Sequence, residues 1–441
     1  MRRRRFEQYP DMISRLFPEK FSDSKNLTRT VTFQVTDACN LACSYCYQIK
    51  KGTKRMSFEI AKKFIDLLLT GEKGMKEYIN PDISPAVVLD FIGGEPLLEV
   101  ELMDKIVNYF RTKAIELEHP WVNMFSICIS SNGTLYFDEK VKQFLEKNKN
   151  LVSFNVTIDG NKELHDSCRK FPDGSPSYDL AVSAAKDWMS KGYYMGSKIT
   201  IAPGNVMYLY DAIVHMVELG YKEINANCVY EKGWTIEHSR IFYGELKKLA
   251  NYWKAHDLFE THYLSLFEEH FFRPKKEDDL INWCGGTGTM LSCDPDGKLF
   301  PCIRYMKSSL GGEQKPLSIG DVDNGIGQNK CDKECINCLN KIDRRTQSTD
   351  ECFYCPIAEG CSWCSAYNYQ VNGTPDKRVT YICEMHKARS LANVYFWNQY
   401  YKKHNINKVF KMNCPDEWAL PIVGLEELEI LKKLQERNDR T

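Results

Sequence analysis

No stretch of this chain approaches the roughly 20 consecutive apolar residues that a membrane-spanning helix needs, which argues against an integral membrane protein. Nor is there an excess of charge of either sign: 59 lysines and arginines face 59 aspartates and glutamates, so no global field draws the chain to nucleic acid or to a membrane surface. Low-complexity tracts are missing as well. With 43% hydrophobic residues over 441 positions, the composition is that of a globular protein with a sizeable core and room for more than one domain. The opening Met1-Arg-Arg-Arg-Arg5 has the charge of a signal peptide's first region, but Phe6-Glu-Gln-Tyr-Pro-Asp-Met12 lacks the apolar stretch that must follow. It reads as a solvated basic end.

Cysteine, by contrast, is abundant, with eighteen in the chain. Disulfide frameworks serve small exported domains with inadequate cores; in a large chain without an export signal, clustered cysteines are expected to be metal ligands in a reducing cytoplasm. Cys39, Cys43 and Cys46 have CxxxCxxC spacing directly after the strand-like run Val31 to Thr36. Three thiolates on one short loop can hold three irons of a 4Fe-4S cluster and leave the fourth open to a ligand, whereas a structural zinc takes four ligands. Spacing alone leaves cluster, zinc and coincidence open.

From residue 31 to about 235 the chain alternates strand-like and helix-like segments, the pattern of parallel β/α units. Strands are expected at Val31 to Thr36, Val87 to Ile92, Met124 to Ser130, Val152 to Ile158, Ser197 to Ile201 and Lys222 to Cys228. Ser57 caps a helix with apolar positions Ile60, Phe64, Leu67 and Leu68, and Gly71 stops it. Further helices are expected around Leu102 to Ile115, Glu139 to Glu146, Tyr178 to Ser190 and Met207 to Leu219. Right-handed crossovers would bring the strand ends to one face. There Phe91-Ile-Gly-Gly-Glu-Pro96 closes the second strand, and Gly93 and Gly94 let the backbone approach a ligand where a Cβ would intrude.

After a polar, helix-rich bridge, Cys284 to Cys302 reads as a hairpin turned at Asp294-Pro-Asp-Gly297. Cys352, Cys355, Cys361, Cys364 and Cys383 follow. Between them Cys331, Cys335 and Cys338 repeat the CxxxCxxC spacing in a polar stretch, Lys330 to Gln347, that reads as loop. An ordered site there would need a metal, with Cys414 a candidate to complete it. Cys128, Cys168 and Cys228 are expected to be small buried residues. A helix is expected from Ala388 to Tyr401 and a short one around Leu425 to Leu434.

Taken together, these motifs resemble the radical S-adenosylmethionine enzymes that carry a SPASM auxiliary-cluster domain. The resemblance implies an α/β partial (β/α)6 TIM-like barrel followed by a small cysteine-rich iron-sulfur domain. Its expected divisions are an N-terminal extension at 1–30, the barrel at 31–235, a helical bridge at 236–283, the SPASM domain at 284–390 and a C-terminal helical segment at 391–441. By the family pattern Cys39, Cys43 and Cys46 hold a 4Fe-4S cluster that binds S-adenosylmethionine. Tyr45 lies near the adenine, the backbone of Gly93-Gly94-Glu95-Pro96 receives the amino group, Ser131 and Asn132 lie toward the ribose, and Arg169 meets the carboxylate. An ion pair of Arg169 with Asp166 or Asp159 at the surface is the competing reading, and His165 is expected to be structural.

Cys284, Gly297, Cys302, Cys352, Cys355 and Cys361 match the SPASM pattern residue by residue, while Cys364 follows after two residues where the pattern has three. The resemblance assigns Cys284, Cys302 and Cys364, with Cys293, to a first auxiliary 4Fe-4S cluster. Cys352, Cys355, Cys361 and Cys383 go to a second. Zinc knuckles are the competing reading. The stretch Thr36 to Leu69 and the extra cysteines are similar to maturases of cysteine-repeat (CXXX-repeat) precursor peptides. That similarity implies hydrogen abstraction and an oxidative thioether crosslink in a precursor peptide, with an electron donor such as flavodoxin or ferredoxin. Carbon-carbon or carbon-oxygen crosslinking, formylglycine formation on sulfatases and a noncatalytic metal scaffold are the alternatives. The 38 residues before Cys39 are too few for a leader-binding winged-helix module.

Overall fold

A computed structural model describes residues 28–230, 232–280, 284–311 and 313–436. The basic end and most of the expected N-terminal extension lie outside the described residues. Strands fall at all six expected positions: β1 (Thr28–Thr36), β2 (Ala86–Gly93), β3 (Phe125–Ser131), β4 (Val152–Val156), a fifth split into β5 (Met195–Gly196) and β6 (Ile199–Ile201), and a sixth split into β7 (Glu223–Ile224) and β8 (Ala226–Cys228). β1 to β5 pair in parallel in chain order, and β6 pairs in parallel with β8. The split has a local cause. Ser197 donates its hydroxyl to the Glu223 carbonyl at 3.0 Å and accepts from the Asn225 N–H at 2.9 Å, so a side chain replaces a ladder bond between the two strands. This is the α/β partial barrel that the alternation predicts.

Numbering helices of nine residues or more, α1 (Phe58–Thr70), α2 (Val100–Glu116), α3 (Glu139–Lys147), α4 (Tyr178–Ser190) and α5 (Leu209–Glu218) cover the barrel strands. α1 starts and stops as its sequence predicts: the Ser57 side chain accepts from the Ile60 N–H, and Gly71 ends the helix at φ 70°. Its Phe64 meets Phe33 of β1 edge-on, ring centroids 5.0 Å apart. Val31, Phe33 and Val35 turn to this helical layer, as do Leu89 and Phe91, Ile127 and Ile129, and Phe154 and Val156, all buried. Burying a side chain of this size contributes about 2 kcal/mol.

The intervening residues point the other way, and they are polar. Thr32, Asp90 and Cys128 lie side by side across β1, β2 and β3, and the Thr32 hydroxyl donates to Asp90 at 3.1 Å. The barrel interior is a polar concavity, suited to a ligand.

α6 (Ile236–Ala255) and β9 (Tyr263–Leu264) make the bridge. Beyond it β10 (Met290–Cys293) and β11 (Lys298–Phe300) form the expected hairpin, with Gly297 at φ 78° in its turn. β10 then pairs in parallel with β1, Thr30 opposite Met290 and Phe33 opposite Cys293. β12 (Gly320–Asp321) and β13 (Gly325–Ile326) extend this into one sheet in the order β13-β12-β11-β10-β1-β2-β3-β4-β5. The cysteine-rich half is therefore continuous with the barrel sheet.

α7 (Lys330–Asn340) corrects the reading of that segment as loop. Asn329 caps it by accepting from the Asp332 N–H at 2.9 Å, and Leu339 is buried while Cys335 and Ile336 pack against the core. α8 (Cys383–Lys403) packs on α6. α9 (Asp416–Gln435) is longer than expected and kinks at Gly424, φ 74°. None of the helices in the described residues is long and apolar enough to cross a membrane.

Candidate active site

The Cys39–Cys46 loop leaves the end of β1 and is held on both sides by backbone bonds. On one side the Gly94 N–H donates to the Thr36 carbonyl at 3.1 Å and the Glu95 N–H to the Ala38 carbonyl at 2.9 Å. On the other, Ala42 and Ser44 donate to the carbonyls of Lys170 and Cys168 at 2.7 and 3.0 Å. A Cβ on Gly94 would stand 2.3 Å from the Ala38 carbonyl oxygen, and one on Gly93 would stand 2.6 Å from that of Thr36. Both glycines are needed for the second-strand turn to lie against the cysteine loop.

Glu95 is 1% exposed and its carboxylate is fully engaged. It accepts from the Ser131 hydroxyl at 2.8 Å, the Asn132 N–H at 2.8 Å and the Leu97 N–H at 3.1 Å, tying the end of β2 to that of β3. Burial raises its pKa, and these bonds oppose the rise. Pro96 opens the short turn that follows. Ser131 also accepts from the Gly133 N–H at 2.9 Å, so both functions of its hydroxyl are spent on the brace. Ser131 is buried at the end of β3, next to half-buried Ser130. Asn132 donates to Asn40 of the cysteine loop at 2.8 Å.

Arg169 is 9% exposed, which corrects the reading of a surface ion pair. It lies 3.5 Å from Asp159, donates to the Cys43 sulfur at 3.3 Å and stands over the Tyr45 ring at 5.7 Å. The Tyr45 hydroxyl donates to the same Asp159. Asp166 serves elsewhere, accepting from the N–H groups of Ser177 and Tyr178 at 3.0 and 2.9 Å. Burial alone would lower the Arg169 pKa, but Tyr45, Asp159 and the thiols hold it above its usual range. The atom facing Asp159 is Nε. A buried guanidinium offers a carboxylate paired donors.

His165 is structural. The Ser177 hydroxyl donates to the Arg169 carbonyl at 2.7 Å, so Ser177 must accept from His165 Nε2, 3.1 Å away, while Nδ1 accepts from the Asp159 N–H at 3.3 Å. Burial pushes its pKa down to about 3, in keeping with that neutral form.

The loop thiols fit a cationic cluster. Burial pushes Cys39 up to about 11 and raises Cys43 as well, so neither ionises readily without a positive partner. In the second half Cys302 has Cys284 and Cys364 as charge neighbours, and a Cβ on Gly286 would stand 3.2 Å from the Cys302 sulfur and 3.6 Å from that of Cys284. Cys293 precedes the turn of the hairpin that leads to Cys302. It is 0% exposed in the β10–β11 hairpin, with Asp294 the neighbouring charge. Cys352 and Cys361 are neighbours of both Cys355 and Cys383. Cys414 neighbours Cys355 instead of completing the α7 triplet.

On α7, Cys335 has Cys338 and Asp332 beside it, and Cys331 is exposed. Among the described residues no three Cys, His, Asp or Glu side chains converge as ligands of one metal ion; the cysteines of a cubane each bind a different iron. Cys128, Cys168 and Cys228 are half-buried, not fully buried as expected.

Residues without a motif complete the concavity. Lys198 is exposed to solvent yet ringed by Arg169, Asp90, Cys128 and Asp159, with its pKa lowered chiefly by burial. Solvent contact together with crowding marks a side chain pointing into a hollow. Only strand alternation hints at it in the sequence. A separate cavity of about 470 Å³ opens behind the Gly-Gly-Glu-Pro turn, lined in part by Arg55, Phe58, Leu98 and Leu135, and contains none of the cysteines.

Comparison with known proteins agrees with this geometry. Residues 33–207 match the Radical SAM superfamily. A serine-type anaerobic sulfatase-maturating enzyme of Bacteroides thetaiotaomicron is 28% identical over 267 residues, 56% of this chain and 60% of that protein. The antilisterial bacteriocin subtilosin biosynthesis protein AlbA of Bacillus subtilis is 23% identical over 290 residues, 64% of this chain and 56% of that one. The chain thus spans about three fifths of the length of the curated relatives it matches. Among solved structures, anSMEcpe with bound AdoMet and a Cp18Cys peptide is similar in fold, with TM-score 0.59, 18% identity, and coverage of 86% of this chain and 100% of that one.

Proposed function

We propose, from the premise that residues 33–207 form a radical S-adenosylmethionine domain, that the protein is a maturase that modifies a peptide or protein by hydrogen abstraction. The observation that carries this reading is the convergence of the Cys39–Cys46 loop, the Gly93–Pro96 turn and buried Arg169 at the mouth of a polar barrel. Cys39, Cys43 and Cys46 would hold a 4Fe-4S cluster, which with S-adenosylmethionine supplies a 5'-deoxyadenosyl radical. The Arg169 guanidinium would meet the methionine carboxylate, while Asp159, facing its Nε at 3.5 Å, keeps guanidinium and Tyr45 in register. Backbone of the Gly93–Pro96 turn, drawn against the cysteine loop by Gly93 and Gly94, would meet the amino group. Asn132 and Asn40 fix the third-strand loop against the cysteine loop. Lys198 and half-buried Asp90 face the hollow where a substrate side chain would rest.

The two further thiol groups, Cys284-Cys302-Cys364 and Cys352-Cys355-Cys361-Cys383, would hold auxiliary 4Fe-4S clusters that favour a net oxidative outcome. We take that outcome to be a thioether crosslink in a cysteine-containing precursor peptide. A sulfatase-maturating reaction is the second reading, favoured by the 28% identity to such an enzyme. Anaerobic co-expression with the nearest encoded small cysteine-containing peptide, followed by mass measurement before and after thiol alkylation, tests both. Loss of two hydrogens per link with one thiol protected supports the thioether. The same loss with all thiols reactive points to a carbon or oxygen link. An unchanged peptide, with a sulfatase cysteine or serine converted to formylglycine, establishes the second reading.

A further inference from the structure

In the thiol group formed by Cys352, Cys355, Cys361 and Cys383 a guanidinium donates directly to a cysteine sulfur. Arg378 Nη2 donates to the Cys361 sulfur at 2.9 Å and to the Cys361 carbonyl at 3.1 Å. The guanidinium is also a charge neighbour of Cys355 and Cys383. Among the described residues no carboxylate lies within ion-pairing distance of Arg378, so its charge is directed at the sulfurs. Of the other charges nearby, Lys387 is paired with Glu384 at 2.8 Å, and Arg344 donates to the backbone carbonyls of Lys276 and Phe353. His386, buried and with Arg378 and Arg389 as charge neighbours, is held neutral by burial. At the Cys284 group the Cys284 sulfur meets the Ser365 hydroxyl at 3.1 Å, and the Arg304 guanidinium is a charge neighbour of Cys302 and Cys364.

A donor to a ligating sulfur and a nearby positive charge both favour the more electron-rich, reduced form of an iron-sulfur cluster, and so raise its reduction potential. We infer that Arg378 sets the potential of the cluster held by Cys352, Cys355, Cys361 and Cys383, poising that site to accept electrons. The inference rests on the reading that these four cysteines hold a 4Fe-4S cluster. Arg378 is a positioning residue here, acting through Cys361 and touching no substrate.

The test is an EPR-monitored redox titration of the full chain, reconstituted anaerobically, in a background with Cys39, Cys43 and Cys46 replaced by alanine to remove the first cluster. Iron is counted in parallel. Arg378→Lys keeps the charge but loses the fork, and Arg378→Gln loses the charge. The midpoint of one auxiliary signal is expected to move to more negative potential in the lysine variant and further in the glutamine variant, with the other signal unmoved. Unchanged iron with both midpoints unmoved overturns the inference. If Arg378→Gln sheds iron, the lysine variant decides by the same criterion. A Cys352→Ser, Cys383→Ser double variant that loses no iron overturns the underlying cluster assignment, which separates that failure from failure of the role given to Arg378.

Discussion

Gly94 shows how little room a single residue leaves at the candidate site. An alanine methyl would meet backbone, the Ala38 carbonyl at 2.3 Å, where no flexible side chain can swing aside. Gly94→Ala is expected to destabilise the loop by about 3 kcal/mol, the upper end of ordinary overpacking. Anaerobic reconstitution should then yield a protein that has lost the iron of the Cys39 site and cleaves no S-adenosylmethionine. Normal iron content and cleavage would show that the loop can retreat. The cysteine triplet and the double glycine were legible in the sequence because their spacing is local. The engagement of Ser131 with Glu95, and of Arg169 with Asp159, was not, since it depends on how strand ends meet across the sheet.

Among elements, α7 departs most from the sequence reading. Its polar residues suggested loop, but Asn329 is a strong cap, and Cys335, Ile336 and Leu339 give it an apolar side that spacing could have disclosed. The cap orders the start of the helix and packing orders its apolar side. Asn329→Ala should cost about 1 kcal/mol, read as a lower urea midpoint with unchanged slope. Iron content should stay the same, and a loss of iron would mean that the three α7 cysteines hold some of it. Strand positions were read correctly because apolar residues alternate with polar ones in short runs between turn residues. The splitting of the fifth and sixth strands was hidden, because the Ser197 side chain that replaces a ladder bond looks like any other strand residue.

The whole molecule carries buried histidines that make it acid-sensitive. Burial pushes His119 down to about 4, and His165 and His386 to about 3, from an ordinary 6.5. With the folded values depressed, the unfolded chain binds more protons between these values and 6.5. Stability from this source is therefore intact above pH 6.5 and falls as pH drops through that window. The slope reaches at most about 1.4 kcal/mol per pH unit for each histidine. Urea unfolding at pH 7 and pH 5 should show the loss, and equal midpoints would refute it.

The pairing of β10 with β1 matters before the protein is complete. The ribosome finishes β1 early and makes its partner only near Met290, opposite Thr30. Through some 260 intervening residues one edge of the strand that leads into the cysteine loop has no partner from its own chain. An unpaired strand edge is a template for any passing strand, and contacts so distant in sequence form slowly. The hairpin is the nascent chain's late-arriving guard, and productive folding becomes a race between its arrival and capture by a neighbour.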